Sequence, residues 1–250
     1  MPFHLVAFHA NQNEAGAYAN VAPITDPTVT ISGNYLYVPA LNQLIGVYVA
    51  GGSTAEAAYL QSPSLRKLLN EDIGIIQQGV TPSGNESAML FPTSPIPLEQ
   101  YEGLEAYLKA TPGAAQRHTF LVWLADGPIA PVSGDIRTVR ATGSISASAG
   151  SWASGSLTFR QTLPVGSYQV VGAVCYGAGL VGFRFIASAY AWRPGGLAIT
   201  NYGAKPIELQ RKGGLGVWFE FDARTPPQLE VLAAVDNSSQ VVYLDLIKTA

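Results

Sequence analysis

The sequence predicts a mainly β protein, antiparallel β-sandwiches in tandem with short helical insertions in the first. Three observations carry that expectation. Apolar, β-branched and aromatic residues coincide with turn glycines most densely between Leu157 and Trp192, LTFRQTLPVGSYQVVGAVCYGAGLVGFRFIASAYAW. Period-two alternation recurs, as from Leu157 to Leu163, where Leu157, Phe159 and Gln161 share one face and Thr158, Arg160 and Thr162 the other. And no segment of the second half has a helical stripe able to cover so apolar a stretch, so the cover must be another sheet.

Taken in order, Phe3 to Phe8 reads as a short apolar strand, followed by a polar loop and a turn at Asp26-Pro27. Thr28 to Ser32 and Tyr35 to Val38 flank Gly33-Asn34 as a hairpin, because Thr, Val, Ile and Tyr suit a half-buried pleated surface. Leu44 to Ala50 continues the sheet. Ser62-Pro63 supplies an N-cap and a first-turn proline, and Leu65, Leu68, Leu69, Ile73 and Ile76 follow at helical spacing. Pro97 opens a second expected helix, with Leu98, Tyr101, Leu104 and Leu108 as its stripe and Glu99, Glu102 and Glu105 as its wet side. His118 to Leu124 returns to an apolar strand. Pro128 to Gly134 reads as a linker, which divides the chain into modules 1–130 and 131–250 and offers a first site for limited proteolysis, as does Arg193 to Gly216.

Beyond the linker, Ile136 to Ser148 alternates again. Tyr168 to Tyr176 and Leu180 to Tyr190 are expected to form a hairpin across Gly177-Ala178-Gly179. Arg193 to Gly216 is a Gly/Pro-rich excursion with one short strand near Leu197 to Asn201, and Val217 to Asp222, Gln228 to Val235 and Gln240 to Ile247 close the chain. That makes about eight strands in about 110 residues, the size of a jelly roll or a related Greek-key sandwich. HTFLVWLAD, at the end of the first half, echoes QVVYLDLIK at the end of the second.

Composition narrows the function. The chain is 48% hydrophobic and 12% charged, about half the ~25% charged fraction usual in soluble domains. So little charge implies that much of the surface faces other subunits; the alternative is a neutral, Gly- and Ala-rich monomer. A net charge of −3, with 14 Lys and Arg scattered along the chain, argues against strong nucleic-acid binding. The single Cys175 excludes an internal disulfide and any multi-cysteine zinc site. The N-terminal stretch lacks the pattern of a secretory signal and no apolar run is long enough to span a bilayer, so the sequons at Asn85 and Asn237 read as chance.

Catalytic constellations are not found by motif. His4, His9 and His118 are too separated for an expected metal site, and His4 and His9 fall on opposite faces of one strand. No cofactor site is expected. Trp123 with Asp126, and Trp192 with Arg193, offer aromatic rings beside polar groups, the pattern of sugar stacking, against the more common role of Trp in cores and interfaces. In Val217 to Asp222 the Phe219 and Phe221 face is expected to be core, while Trp218 shares the other face with Glu220 and Asp222 and is expected to be covered by another subunit. Trp218, Trp192 and Arg193 are therefore the candidate assembly-interface residues.

Tandem sandwich halves, helices inserted between strands, the excursion Arg193 to Gly216 and an apolar surface without a basic arm together resemble the double jelly-roll major capsid proteins of icosahedral viruses. The resemblance lies in architecture across most of the chain and in no single motif. It implies a non-enzymatic, self-assembling protein of the virion, forming trimeric capsomers from copies of itself, with other capsid proteins as further partners and no strong contact with the genome. A glycan-binding β-sandwich is the alternative.

Overall fold

The computed structural model describes residues 2–12, 17–50, 55–69, 73–75, 89–110, 116–203 and 207–249. The first half contains β1 (Phe3–Gln12), β2 (Ala19–Val21), β3 (Thr30–Ser32), β4 (Tyr35–Tyr37), β5 (Gln43–Ala50), β6 (Ala55–Gln61), the helix α1 (Pro63–Leu69), β7 (Ile73–Ile75), β8 (Met89–Leu90), β9 (Ile96–Pro97), β10 (Gly103–Ala110) and β11 (Gln116–Ala125). The second contains β12 (Arg137–Gly143), β13 (Trp152–Ser156), β14 (Thr158–Phe159), β15 (Ser167–Tyr176), β16 (Leu180–Ile186), β17 (Gly195–Ile199), a 3-10 turn at Glu208–Gln210, β18 (Phe219–Asp222), β19 (Gln228–Ala233) and β20 (Gln240–Lys248).

Strand pairing is nested in the same way in both halves. In the first, the outermost strands pair, β1 with β11; inside them β2 and β4 pair with β10, β5 with β8 and β9, and β6 with β7. In the second, β12 pairs with β20, β13 with β19, β15 with β18, and β16 with β17. All of these pairs are antiparallel. Each half is thus a long ribbon of paired strands rolled upon itself, which yields the two facing sheets and paired Greek keys of a jelly roll. The sheets run β1-β11-β5-β8 and β3-β4-β10-β6-β7 in the first half. In the second, β13-β19-β16-β17 faces β18-β15-β20-β12, joined along one edge by a short parallel pairing of β15 with β17.

Among the described residues every ladder lies within 3–125 or within 137–248, yet the core does not divide there. The odd residues of β1 and β11, including Phe3, Leu5, Leu121 and Trp123, share one buried cluster with Phe183, Phe185, Trp218 and Phe219 of the second half. Their even neighbours Val6, Phe8, Phe120 and Val122 pack instead against Leu60, Leu104 and Leu108 of the opposite first-half sheet. Consecutive strand residues point to opposite faces, so the β1-β11-β5 sheet is buried on both sides. Leu121 lies over Gly182 of β16, which places the β16-β19 sheet directly on this wall.

The expected linker is seated. Ile129 N–H donates to Pro92 O at 2.7 Å and Val132 N–H to Gly213 O at 2.9 Å, joining it to both halves. Gly213 holds φ +86°, and a Cβ there would meet Val132 O at 1.9 Å. Ile129 is buried, while Pro128, Ala130, Pro131, Ser133 and Gly134 remain exposed.

Three expectations are corrected. The second helix is a strand: in β10, Leu104, Ala106 and Leu108 are buried and Glu105 and Tyr107 look outward. Leucines at 104 and 108 satisfy periods of 2 and 3.6 alike, and pairing with β6 and β4 decides for the strand. The first helix ends at Leu69 and Ile73 begins β7, while Ile76 lies outside the described residues. Its cap is as expected: Leu65 N–H donates to Ser62 Oγ at 3.3 Å. Glu102, far from a solvated helix face, accepts from Ser62 Oγ and Ser64 N–H at that helix start. Lastly, β15 and β16 do not pair as a hairpin. The turn Gly177 to Gly179 carries the chain from one sheet of the second half to the other, and β17 lies between the two strands in the sheet order.

Candidate functional site

The densest polar chemistry is sealed where the two halves meet. β16 is apolar but for Arg184, and β19 is apolar at its centre but for Glu230; cross-strand register sets the two opposite one another. Both lie on the sheet face that looks toward β1, since Phe183, Phe185, Leu229 and Val231 take the other face. From the first half, His4 of β1 and the Asp26 to Thr28 turn meet them.

The hydrogen bonds form one directed chain. Arg193 N–H donates to His4 Nδ1 at 3.0 Å, so that nitrogen is the acceptor and the proton sits on Nε2. Nε2–H then donates to Thr28 Oγ1 at 2.8 Å, and Thr28 O–H donates to Asp26 Oδ1 at 2.5 Å. Arg184 closes the set: Nη1 donates to Asp26 Oδ2 and to Leu5 O, and Nε donates to Glu230 Oε2. Arg193 Nη1 reaches both Glu230 oxygens, at 2.7 and 2.9 Å. The Arg184 guanidinium also lies over the Trp152 ring, 4.0 Å from its centroid.

Two arginines thus balance two carboxylates around a neutral imidazole. Burial, with Arg184 adding repulsion, brings the His4 pKa from 6.5 down to about 3. Burial opposes ionisation of Asp26, but Arg184 and the Thr28 hydroxyl outweigh it and hold the carboxyl below its usual range. The order Arg193, His4, Thr28, Asp26 resembles a catalytic relay in composition, but its hydroxyl donates to the carboxylate and every member except Arg193 and Thr28 is buried. What the cluster does chemically is hold the halves together: Asp26 and His4 belong to one, Arg184 and Glu230 to the other.

A second network stands on the far sheet. Asp245 of β20 accepts from Arg211 Nε at 2.6 Å, Arg211 Nη2 at 3.0 Å, Lys212 N–H at 2.9 Å and Thr138 Oγ1 at 2.6 Å. Burial opposes its ionisation; these donors, led by Arg211, lower its pKa to about 2. This fastens the excursion Arg193 to Gly216 across the outer face of β20.

Of the interface candidates, Trp218 is corrected outright. It is 1% exposed, with ring contacts to Phe3, Phe183 and Phe185. Trp218 precedes β18, whose first residue is Phe219, so the strand's alternation does not govern its direction. Phe219 and Phe221 are buried and Glu220 exposed, as the alternation predicts. Trp192 is half-buried and tilts over His4 at 5.7 Å, and Arg193 is taken up by Glu230; both stand at the junction of the halves. Trp123 is fully buried with its Nε1 donating to Gly195 O, and so offers no ring for sugar stacking beside Asp126. The sequence reading missed Asp26, Arg184 and Glu230; for Arg184 and Glu230 a signal was visible, a lone charge in an apolar strand, while Asp26 lies in a turn.

No protein-family model matches the chain, and no curated protein matches it. Among solved structures it is similar to the major capsid protein P2 from bacteriophage PM2, at 12% identity over 94% of this chain and 98% of that one, with a TM-score of 0.27. The fold assignment rests on the strand order and not on that superposition.

Proposed function

We propose that the chain is a non-enzymatic shell protein, a viral major capsid protein of the double jelly-roll kind that assembles from copies of itself. The observation that carries the reading is the duplicated nesting: two halves with the same rolled strand order, β1 with β11 and β12 with β20 outermost, packed through one continuous core. Jelly rolls serve as capsid, lectin and cupin domains. A pair fused side by side is a tile with two similar lobes, and three such tiles about an axis present six lobes, the outline of a pseudo-hexagonal capsomer. The low charge of the chain supports extensive contact with other copies. His4, Asp26, Arg184 and Glu230 of the strongest catalytic-looking cluster are buried, which supports a structural role for it. Net acidity and scattered Lys and Arg support a shell that does not grip the genome; other capsid proteins are its further partners in the virion under this reading.

Light scattering coupled to size exclusion, with negative-stain microscopy of the same fractions, tests this. Trimers or larger ordered assemblies are the expected result. A monomer that persists across micromolar concentrations overturns it.

A further inference from the structure

The outer face of the β3-β4-β10-β6-β7 sheet carries an aromatic row that neither the ion networks nor the two cores use. In β10 the outward positions are Gly103, Glu105 and Tyr107; in β6 they are Tyr59 and Gln61; in β4, Tyr35 and Tyr37. Register sets Tyr37 beside Gly103, Glu105 beside Gln61, and Tyr107 beside Tyr59. The Tyr59 and Tyr107 rings stack at 4.9 Å with 15° between their planes, and Tyr18 meets Tyr59 edge-on at 4.9 Å. Beside this stack a trough of about 670 Å³ opens between Tyr35, Tyr37, Gln61, Arg66 and Glu105. Its size falls in the ~300–1,000 Å³ range of small-ligand sites.

We propose that this trough is a carbohydrate-binding site that takes a neutral pyranose unit of a glycan, stacked on Tyr35 and Tyr37 and hydrogen-bonded through Glu105 and Gln61. The site is independent of the shell reading.

The geometry suits a sugar for three reasons. One face of a pyranose carries C–H bonds with slight positive charge, which fit the negative face of an aromatic ring, while its hydroxyls radiate in the ring plane and need acceptors and donors at the rim. The tyrosines supply the first and the Glu105 and Gln61 pair the second, on outward positions about 5 Å apart across the ladder. Second, Glu105 is held in place. Its Oε1 accepts from Asn20 Nδ2 at 2.9 Å and Tyr107 O–H at 3.0 Å, and Oε2 accepts from no described side chain. A carboxylate so fixed can accept from a sugar hydroxyl, and with Arg66 and Glu105 on the same lining the trough carries no net charge, which suits a neutral sugar. Third, Gly103 makes room for the platform: a Cβ there would lie 2.6 Å from Tyr35 Cδ1, so the ring rests directly on the strand. Tyr35 is 44% exposed, a large ring left open to solvent.

An array of immobilised oligosaccharides, neutral hexose and N-acetylhexosamine chains in one set and sialylated or uronic-acid chains in another, tests the proposal with the intact chain. Titration calorimetry follows with the best neutral binder. Binding to the neutral set is expected. Tyr35→Ala should weaken it about tenfold through lost stacking, and Glu105→Gln about tenfold through loss of a charged acceptor. Tyr35→Phe keeps the ring and should stay within about threefold, and Tyr202→Ala, on the second half, should leave the affinity unchanged. Thermal unfolding of each variant verifies the fold. An empty array, binding confined to acidic glycans, or affinity indifferent to both Tyr35→Ala and Glu105→Gln overturns the proposal. So does loss of assembly in Tyr35→Ala with no sugar bound by the parent chain, which would make the row a contact between copies.

Discussion

Arg184→Met removes the one cation shared by both carboxylates of the sealed junction while keeping an unbranched side chain over Trp152. Glu230 retains Arg193, at 2.7 and 2.9 Å, so the loss falls mainly on Asp26, which keeps only the Thr28 amide and hydroxyl. Breaking a buried ion pair by deleting one partner costs about 3–5 kcal/mol. Two hydrogen bonds to charged acceptors at about 1.5–3 kcal/mol each give the same size independently. With a urea slope of about 2–3 kcal/mol/M, the midpoint should fall by about 1–2.5 M. Adding Asp26→Asn removes the stranded charge and should restore about 1 kcal/mol or more, a coupling that distant sites do not show. Equilibrium urea unfolding at pH 7, followed by tryptophan fluorescence and far-UV circular dichroism, reads both. If Arg184→Met moves the midpoint by less than about 0.3 M, or the double variant is no better than the single, the network is not what joins the halves.

Acidification should weaken the fold before any carboxylate is protonated. His4 is held at about 3 and His118 at about 4, both below 6.5, so between those values the unfolded chain binds protons that the folded chain refuses. Stability is then full above about pH 6.5 and falls with pH by up to about 1.4 kcal/mol per unit for each histidine. A melting temperature that is flat from pH 7 to pH 5 would contradict this. Asp245, lowered to about 2, adds a further loss as pH falls below its usual 3.8. Phe219→Ala and Trp218→Ala should each cost about 3–5 kcal/mol in chemical unfolding, while Glu220→Ala stays near 0.5 kcal/mol; a mild Trp218→Ala would restore the exposed role its sequence position suggests. Gly213→Ala should cost at least about 1–2 kcal/mol from the left-handed backbone alone, before the clash with Val132 O. Residues 131–250 expressed alone should fail to give a sharp thermal transition, because the β16-β19 face would lose the wall that Leu121 and Trp123 provide.

Much of the architecture was legible because it is written in local patterns. Apolar runs mark β1 and β11, alternation marks β18, the Ser62-Pro63 cap marks α1, and Gly33-Asn34 marks the β3-β4 hairpin. What escaped is what depends on partners remote in sequence. Leu104 and Leu108 fit two periods, and only pairing with β4 and β6 chooses between them. Gly177 to Gly179 has the composition of a hairpin turn, but β17, some twenty residues later, takes the place beside β15. Trp218 was misplaced because alternation was extended one residue beyond the strand. The junction cluster draws on positions 4, 26, 184, 193 and 230, which no local stretch of sequence brings together.

The β1-β11-β5 sheet, covered on both faces, has a mechanical meaning. A plate with a packed layer on either side resists bending as a laminate does, so this wall opposes hinging of the two lobes about the segment that connects them. If the chain is the shell tile proposed above, the angle between neighbours in a closed shell has to change from place to place. With the tile itself stiff, that variation is confined to the seams, so substitutions that alter particle size or curvature should map to the rims of the tile and leave the wall between β11 and β16 untouched.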